Sequence, residues 1–275
     1  MKGFIELRQD IMQLDEASER AIFIQHPLDK TKADEYLGVW NDTKNKLSCI
    51  ASNKYKIITH RNAFMEYLDC LNELGMKYEG KIINHGDIVK MEILFDKVVE
   101  DGSKGVRLGF QVSNSYNMHC SFSSGLFAYR LICTNGMYLG KAIKGASFNR
   151  HHIGDINTRE LIKKFIQKVS TYEERLKALI SESMKDTVEW ALAKKILAKA
   201  IGIKKHRKFV EKLLEEFEGR KLTRWDIYNA ITDYATHGES LSVYAVEYLQ
   251  NQAQKIINKA ESDKIIIEVM EVDVE

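Results

Sequence analysis

Long apolar runs, a secretory leader and paired cysteines are all missing from this sequence. No stretch of about 18 consecutive apolar residues occurs, so the sequence predicts no membrane-spanning segment. The first ten residues contain Glu6 and Asp10 and lack the apolar stretch of a signal peptide. We therefore expect the protein to work in the cytoplasm, without a membrane partner.

The four cysteines lie far apart and form no Cys-x-x-Cys pair. A chain of 275 residues can bury a large core without covalent cross-links. The pattern is therefore typical of reduced thiols and not of a disulfide framework. These residues are Cys49, Cys70, Cys120 and Cys133.

Catalytic and cofactor-binding signatures are also absent. The sequence has no Gly-x-x-x-x-Gly-Lys-Ser/Thr phosphate loop and no Gly-x-Ser-x-Gly turn. The pair His151-His152 has neighbours in sequence that could ligate a metal, but their spacing is not that of a zinc site. The sequence therefore predicts no metal and no cofactor. It favours a protein that is not an enzyme, and it leaves catalysis open.

The periodicity of the first half predicts an antiparallel meander with one early helix. The helix spans residues 60–74, where Phe64, Leu68 and Leu71 recur at helical spacing before Gly75. A turn-like segment at residues 84–87 predicts a hairpin. The predicted strands are residues 21–24, 55–58, 81–83, 88–94, 106–112, 119–123 and 127–133.

After Asp155 the period changes to that of helices, which gives an α+β class with a helical half packed on the sheet. Helices are predicted from 161 towards 180, through 190–197 and 209–214, from a capping box at Thr223 and Asp226, and along 243–256. We expect one compact body made of four parts. They are an N-terminal extension with short strands (1–50), a β-rich half (51–155), a helical half (156–260) and an acidic tail (261–275).

Acidic residues are missing from residues 102–154, which we call the acid-free segment. Six Lys and Arg residues lie in it, while the rest of the chain has 35 against 39 acids. Seven aromatic residues are interleaved with these cations. Cations that follow phosphates and rings on which bases stack are what a single-strand binder needs. The nucleic-acid-binding candidates are Lys104, Arg107, Tyr129, Arg130, Asn135, Tyr138, Lys141, Lys144, Arg150, His151 and His152.

A packed sheet explains the same composition without any ligand. Strands that bury one face are rich in aromatic residues and poor in acids. Alternation then places about half of the rings in the core, so the sequence leaves both interpretations open.

Three motifs resemble a family encoded by phages and plasmids, the domain of unknown function nine-three-two. They are the Arg-Leu-Ile-Cys-Thr-Asn run from Arg130 to Asn135, the Arg-His-His segment at residues 150–152, and the Trp225 to Tyr234 run with its Asn-Ala-x-Thr pattern. The resemblance spans residues 55–257 and implies a mobile-element protein. The order of strands and helices is also loosely similar to that of phage single-strand annealing proteins, by fold analogy alone.

Three functions follow as hypotheses. The first is a single-stranded DNA-binding or annealing protein of a phage, virus or plasmid, acting in replication or recombination as a homo-oligomer. The second is a nucleic-acid- or nucleotide-directed enzyme, with His151, His152 and Asn229 in a cleft. The third is a protein that binds a host or element-encoded factor through the acidic tail.

Overall fold

The computed structural model describes residues 1–22, 35–101, 105–131, 135–140, 142–153, 157–201, 211, 215, 221–238 and 241–258. The chain divides into two compact units. Unit 1 comprises Met1–Asp96, Gly109–Leu126 and Ala146–Val169, and unit 2 comprises Lys97–Leu108, Phe127–Gly145 and Ser170–Glu275.

The helices of the described residues confirm the predicted α+β class, in which C-terminal helices follow a strand meander. They are α1 (Phe4–Met12), α2 (His60–Glu73), α3 (Thr158–Ile166), α4 (Val169–Lys185), α5 (Trp190–Ile201), α6 (Arg224–His237) and α7 (Val243–Ile257). None of these described helices is long and apolar enough to cross a bilayer.

The strands form two larger sheets and one small pair. The strands are β1 (Ala17–Ala21), β2 (Tyr36–Asn41), β3 (Lys46–Ser52), β4 (Tyr78–Asn84), β5 (Ile88–Val99), β6 (Val106–Ser115), β7 (Phe122–Arg130), β8 (Asn135–Tyr138), β9 (Ser147–Arg150), β10 (Thr187–Val188) and β11 (Leu222–Thr223). The six-stranded sheet has the order β4-β5-β6-β7-β8, and β9 also pairs with β7. The other sheet has the order β1-β2-β3, and β10 pairs with β11.

Local signals account for the elements that the sequence predicts well. In α2 the Thr59 side chain accepts a hydrogen bond from Asn62 N, and Phe64, Leu68 and Leu71 are fully buried. Gly75 ends the turn after α2 with a φ of +64°, a conformation that glycine adopts without strain. The helix and its boundaries are therefore as predicted.

The predicted hairpin and capping box are also confirmed. Strands β4 and β5 pair antiparallel around a turn in which Gly86 has a φ of +82°. At the start of α6 the Thr223 side chain accepts from Asp226 N, and the Asp226 carboxylate accepts from Thr223 N. Both features depend on residues within four positions of one another, which the sequence displays directly.

Helix α7 packs on the free edge of β8 in unit 2. The Gln250 side chain accepts from Tyr138 N at 3.1 Å and donates to Gly136 O at 2.8 Å. The edge of a strand leaves backbone N–H and C=O groups without hydrogen-bond partners, and the Gln250 side chain of α7 supplies these partners. Within unit 2 the helical half is therefore packed on the sheet, as predicted.

Several predicted boundaries are wrong. Residues 55–58 form no strand beyond the isolated Tyr55–Ile153 bridge, because the next amide, that of Ile57, donates to the Glu19 side chain and not to a backbone carbonyl. Residues 122–123 and 127–130 of predicted strands 119–123 and 127–133 lie in the single strand β7, whereas residues 132–133 lie outside the described residues. The helix predicted from residue 161 is interrupted after Ile166. Helix α1 lies where only short strands were expected. Three predictions lie wholly or partly outside the described residues: residues 23–24 of predicted strand 21–24, predicted helix 209–214 apart from residue 211, and the acidic tail.

Candidate nucleic-acid interface

The aromatic residues of the acid-free segment lie mainly in the cores of the two units. Phe110, Tyr116, Phe122 and Phe127 are at most 1% exposed. The remaining three, Tyr129, Tyr138 and Phe148, are half-buried. Burial raises the pKa of Tyr138 to about 12. The sheet-core interpretation therefore accounts for four of the seven rings.

Arg130 in unit 2 forms an ion pair with the acid that precedes the segment. Its Nε lies 2.8 Å from Asp101 Oδ2, and the Asp101 side chain is fully buried. The other carboxylate oxygen accepts from Gly105 N at 3.0 Å. A buried carboxylate needs a charged or hydrogen-bonding partner, so Arg130 serves as a structural counter-ion here.

The other unit 2 candidates are placed less tightly. Lys144 is exposed, and its carbonyl accepts a hydrogen bond from Arg175. Arg107 is half-buried on β6, and Tyr129 is half-buried on β7. Asn135 pairs with Arg130 in the β7–β8 register. Lys104 and Lys141 lie outside the described residues.

In unit 1 the two adjacent histidines have opposite environments. His151 is exposed, whereas His152 is 4% exposed and stacks on Tyr55 with ring centroids 5.0 Å apart. Burial lowers the pKa of His152 below its usual range. The preceding strand β9 holds Arg150 opposite Phe122 of β7, with the Arg150 side chain half-buried.

Two backbone contacts bring a second set of cations to this end of β9. Tyr55 and Ile153 form an antiparallel bridge, and Lys56 N donates to His152 O at 2.8 Å. Lys54 and Lys56 are exposed, and neither forms an ion pair with the described residues. We call Lys54, Lys56, Arg150 and His151 the basic cluster.

Lys54 and Lys56 are not among the candidates predicted from sequence, because they lie about a hundred residues before Arg150 and His151 in the chain. The one local signal is that the two lysines stand on either side of the aromatic Tyr55, which is 6% exposed. Two acids lie close by. The Glu19 carboxylate accepts from Ile57 N, and Glu35 O accepts from Asn53 N.

A buried polar group supports the same segment from inside unit 1. Asn114 Nδ2 donates to Ile58 O at 2.8 Å and lies 3.1 Å from His60 Nδ1. Because an amide NH₂ only donates, His60 Nδ1 accepts and its hydrogen lies on Nε2. Burial lowers the pKa of His60 to about 3, against an opposing effect of Asp15. His60 is therefore neutral and stacks on Tyr116 at 3.8 Å.

Polar atoms around His60 are left without partners. His60 Nε2, His152 Nε2, Asn114 Oδ1 and Tyr55 OH are buried and have no hydrogen-bond partner among the described residues. Each such atom costs about 1–3 kcal/mol. The interior around His60 therefore has hydrogen-bonding capacity that the described residues leave unused.

A network of carboxylates and amides fixes the β1–β3 sheet to the β4–β5 turn. The fully buried Asn41 donates to Asp15 at 2.9 Å and to Asp87 at 3.1 Å. Asp87 also accepts from Ser48 at 3.0 Å and from Lys46 Nζ at 2.9 Å. These hydrogen bonds lower the pKa of Asp87 despite its burial, so the carboxylate stays ionised.

In unit 2 the residues of the third motif bind mainly within their own helix. Asn229 Nδ2 donates to Trp225 O at 2.8 Å, and Thr232 Oγ1 donates to Tyr228 O at 3.1 Å. Arg224, only 2% exposed, lies 2.9 Å from Asp186 and donates to Ile257 O at 3.1 Å. No group of three or more His, Cys, Asp or Glu side chains in the described ranges is placed to hold a metal ion.

Comparison with known proteins identifies the family. The family model described as Domain of unknown function (DUF932) matches residues 48–263. The chain therefore belongs to this family, as the three motifs indicate. Neither the curated proteins nor the solved structures contain a match.

Proposed function

We propose that the protein binds single-stranded DNA through the basic cluster of unit 1. It would do so as a phage, virus or plasmid protein in the host cytoplasm, during replication or recombination. The observation that carries the proposal is the convergence of exposed Lys54, Lys56 and His151 at one end of β9. Lysine ammonium groups on a surface bind phosphates as point charges.

The charge balance of the cluster sets the kind of binding that we expect. Three permanent cations lie near two acids, Glu19 and Glu35, so the net local charge is small. Binding would then be of modest affinity and would weaken steeply with salt, because each phosphate contact releases a counter-ion. The mainly buried rings of the acid-free segment add little stacking at this position.

The test is the binding of a fluorescent oligo-dT to wild type and to Lys54→Ala/Lys56→Ala across a salt series. Loss of two phosphate contacts should make the slope of log affinity against log salt shallower by about 1.4. Lys77→Ala/Lys168→Ala removes the same charge from two other exposed positions of unit 1 and should keep the wild-type slope. No binding at low salt, or equal loss in both variants, would overturn the proposal.

A further inference from the structure

The outward face of the β1–β3 sheet carries one exposed ring and two exposed apolar side chains. The strand register places Trp40 beside Leu47, Gly38 beside Ile50, and Tyr36 beside Ser52. Tyr36, Leu47 and Ile50 are 44%, 42% and 46% exposed. The opposite face of the sheet is packed, with Val39 and Ala51 in a core with Tyr55 and Tyr116.

The centre and one side of this face have a defined form. The space above Gly38 is filled by the side chains of neighbouring residues, since a Cβ there would lie 2.8 Å from Ile22 and 3.0 Å from Leu47. The guanidinium of Arg20 lies 5.0 Å from the centroid of the half-buried Trp40 ring and is fixed by Asp42 at 2.5 Å. At one end of the face the Trp40 ring is thus already covered by the Arg20 guanidinium. At the other end the Tyr36 ring is exposed.

Tyr36 lies at the end of the sheet that leads into the basic cluster. Its register partner Ser52 is the last residue of β3, two positions before Lys54. A single-stranded nucleic acid whose phosphates contact Lys54 and Lys56 would therefore have its bases within reach of the Tyr36 ring. Stacking on an aromatic ring accepts any base, since every base has a π-face.

We propose that this face is the base-stacking surface for single-stranded nucleic acid, with Tyr36 as its principal ring. The inference rests on the proposed function and adds contacts to the bases to the phosphate contacts of the basic cluster. The area of the face favours a short stretch of nucleic acid over a protein partner. Three strands spaced about 4.8 Å apart and about six residues long cover on the order of 300 Å², whereas a stable protein interface takes about 800 Å² from each partner. A face of this size holds two or three bases, as aromatic sheets of RNA-binding domains do.

The experiment separates stacking from charge by using two probes of equal length, a fluorescent oligo-dT and an abasic oligomer with the same phosphates. Tyr36→Ala should weaken oligo-dT binding about tenfold, within the range for one stacked base, and leave the abasic probe unchanged. Tyr36→Phe should bind oligo-dT like wild type. Tyr248→Ala, which removes another half-exposed tyrosine, should have no effect.

Other outcomes decide against the inference in distinct ways. Equal binding of both probes by Tyr36→Ala and wild type would overturn the stacking surface while leaving the basic cluster in place. A change in mass for Tyr36→Ala by light scattering would identify the face as an interface between copies. Absence of binding by wild type to either probe would remove the proposed function as well. If Tyr36→Ala fails to fold, Tyr36→Leu, which removes the ring and keeps an apolar side chain, gives the same comparison.

Discussion

The two portions of the acid-free segment show how differently one composition is used. In unit 2 the portion that contains Arg130 pairs this cation with the buried carboxylate of Asp101, outside the segment. In unit 1 the portion that contains His151 lies beside exposed Lys54 and Lys56, which are also outside it. A lack of acids within a segment therefore does not define a basic surface, because neighbours in space decide which cations face solvent.

The largest difference that we expect between the two portions is how far their surroundings lower the free energy of unfolding at acid pH. The unit 1 portion buries His152 and places Asn114 against His60, while the unit 2 portion contains no histidine. The pKa of His60 is lowered from 6.5 to about 3. Between these values His60 binds a proton in the unfolded chain but not in the folded chain. The contribution of His60 to stability is therefore full above pH 6.5 and falls as the pH drops towards 3.

At pH 4 this single histidine should lower the free energy of unfolding by about 3 kcal/mol relative to pH 7, at about 1.4 kcal/mol per unit. Asp15, Asp87, His152 and Lys44 surround His60 electrostatically, and hydrogen bonds hold the pKa values of the two carboxylates below their usual range. Urea unfolding at both pH values checks this. His60→Asn should lose most of the pH dependence and His151→Gln should keep it; equal behaviour would contradict the assignment.

The next effect concerns Arg130. Arg130→Ala should lower the free energy of unfolding by about 2 kcal/mol, because the buried Asp101 carboxylate loses a charged hydrogen-bond donor. Its affinity for oligo-dT should stay within about twofold of wild type. Thermal melts and fluorescence titration measure the two quantities on the same preparation. A variant of full stability that binds weakly would return Arg130 to the nucleic-acid interface.

The smallest effect is expected for the exposed or half-buried cations of unit 2. Arg107→Ala/Lys144→Ala removes the same charge as Lys54→Ala/Lys56→Ala, yet it should leave the salt dependence of binding unchanged. A shallower slope in this variant would show that the unit 2 portion contacts phosphates as well. The two double variants thus compare the portions at equal net charge.

Local rules predict the elements whose signals lie within a few residues. Helix α2, the β4–β5 hairpin and the capping box of α6 each follow from spacing, turn residues or a side chain three positions away. The basic cluster could not be predicted, since Lys56 meets His152 only through pairing between distant segments. The same limit applies to Arg130, whose partner Asp101 is separated from it by 29 positions.

The sequence also does not determine which aromatic rings of the acid-free segment are buried. Alternation predicts that about half of the aromatic residues face inwards, but it cannot say that Tyr116 stacks on His60 or that Phe110 packs against Phe165. Those contacts come from helices α2 and α3, which cover the sheet. The exposed ring of Tyr36 lies in the N-terminal region for which only short strands were expected.

The most direct test of the central claim is hydrogen–deuterium exchange of the protein with and without oligo-dT at low salt. We expect slower exchange at residues 53–57 and 150–153, with a second protected segment along β2. Residues 135–140 and 142–145 of unit 2 should exchange at unchanged rates. Protection confined to the unit 2 portion would contradict the account and place the interface at Lys144 and its neighbours.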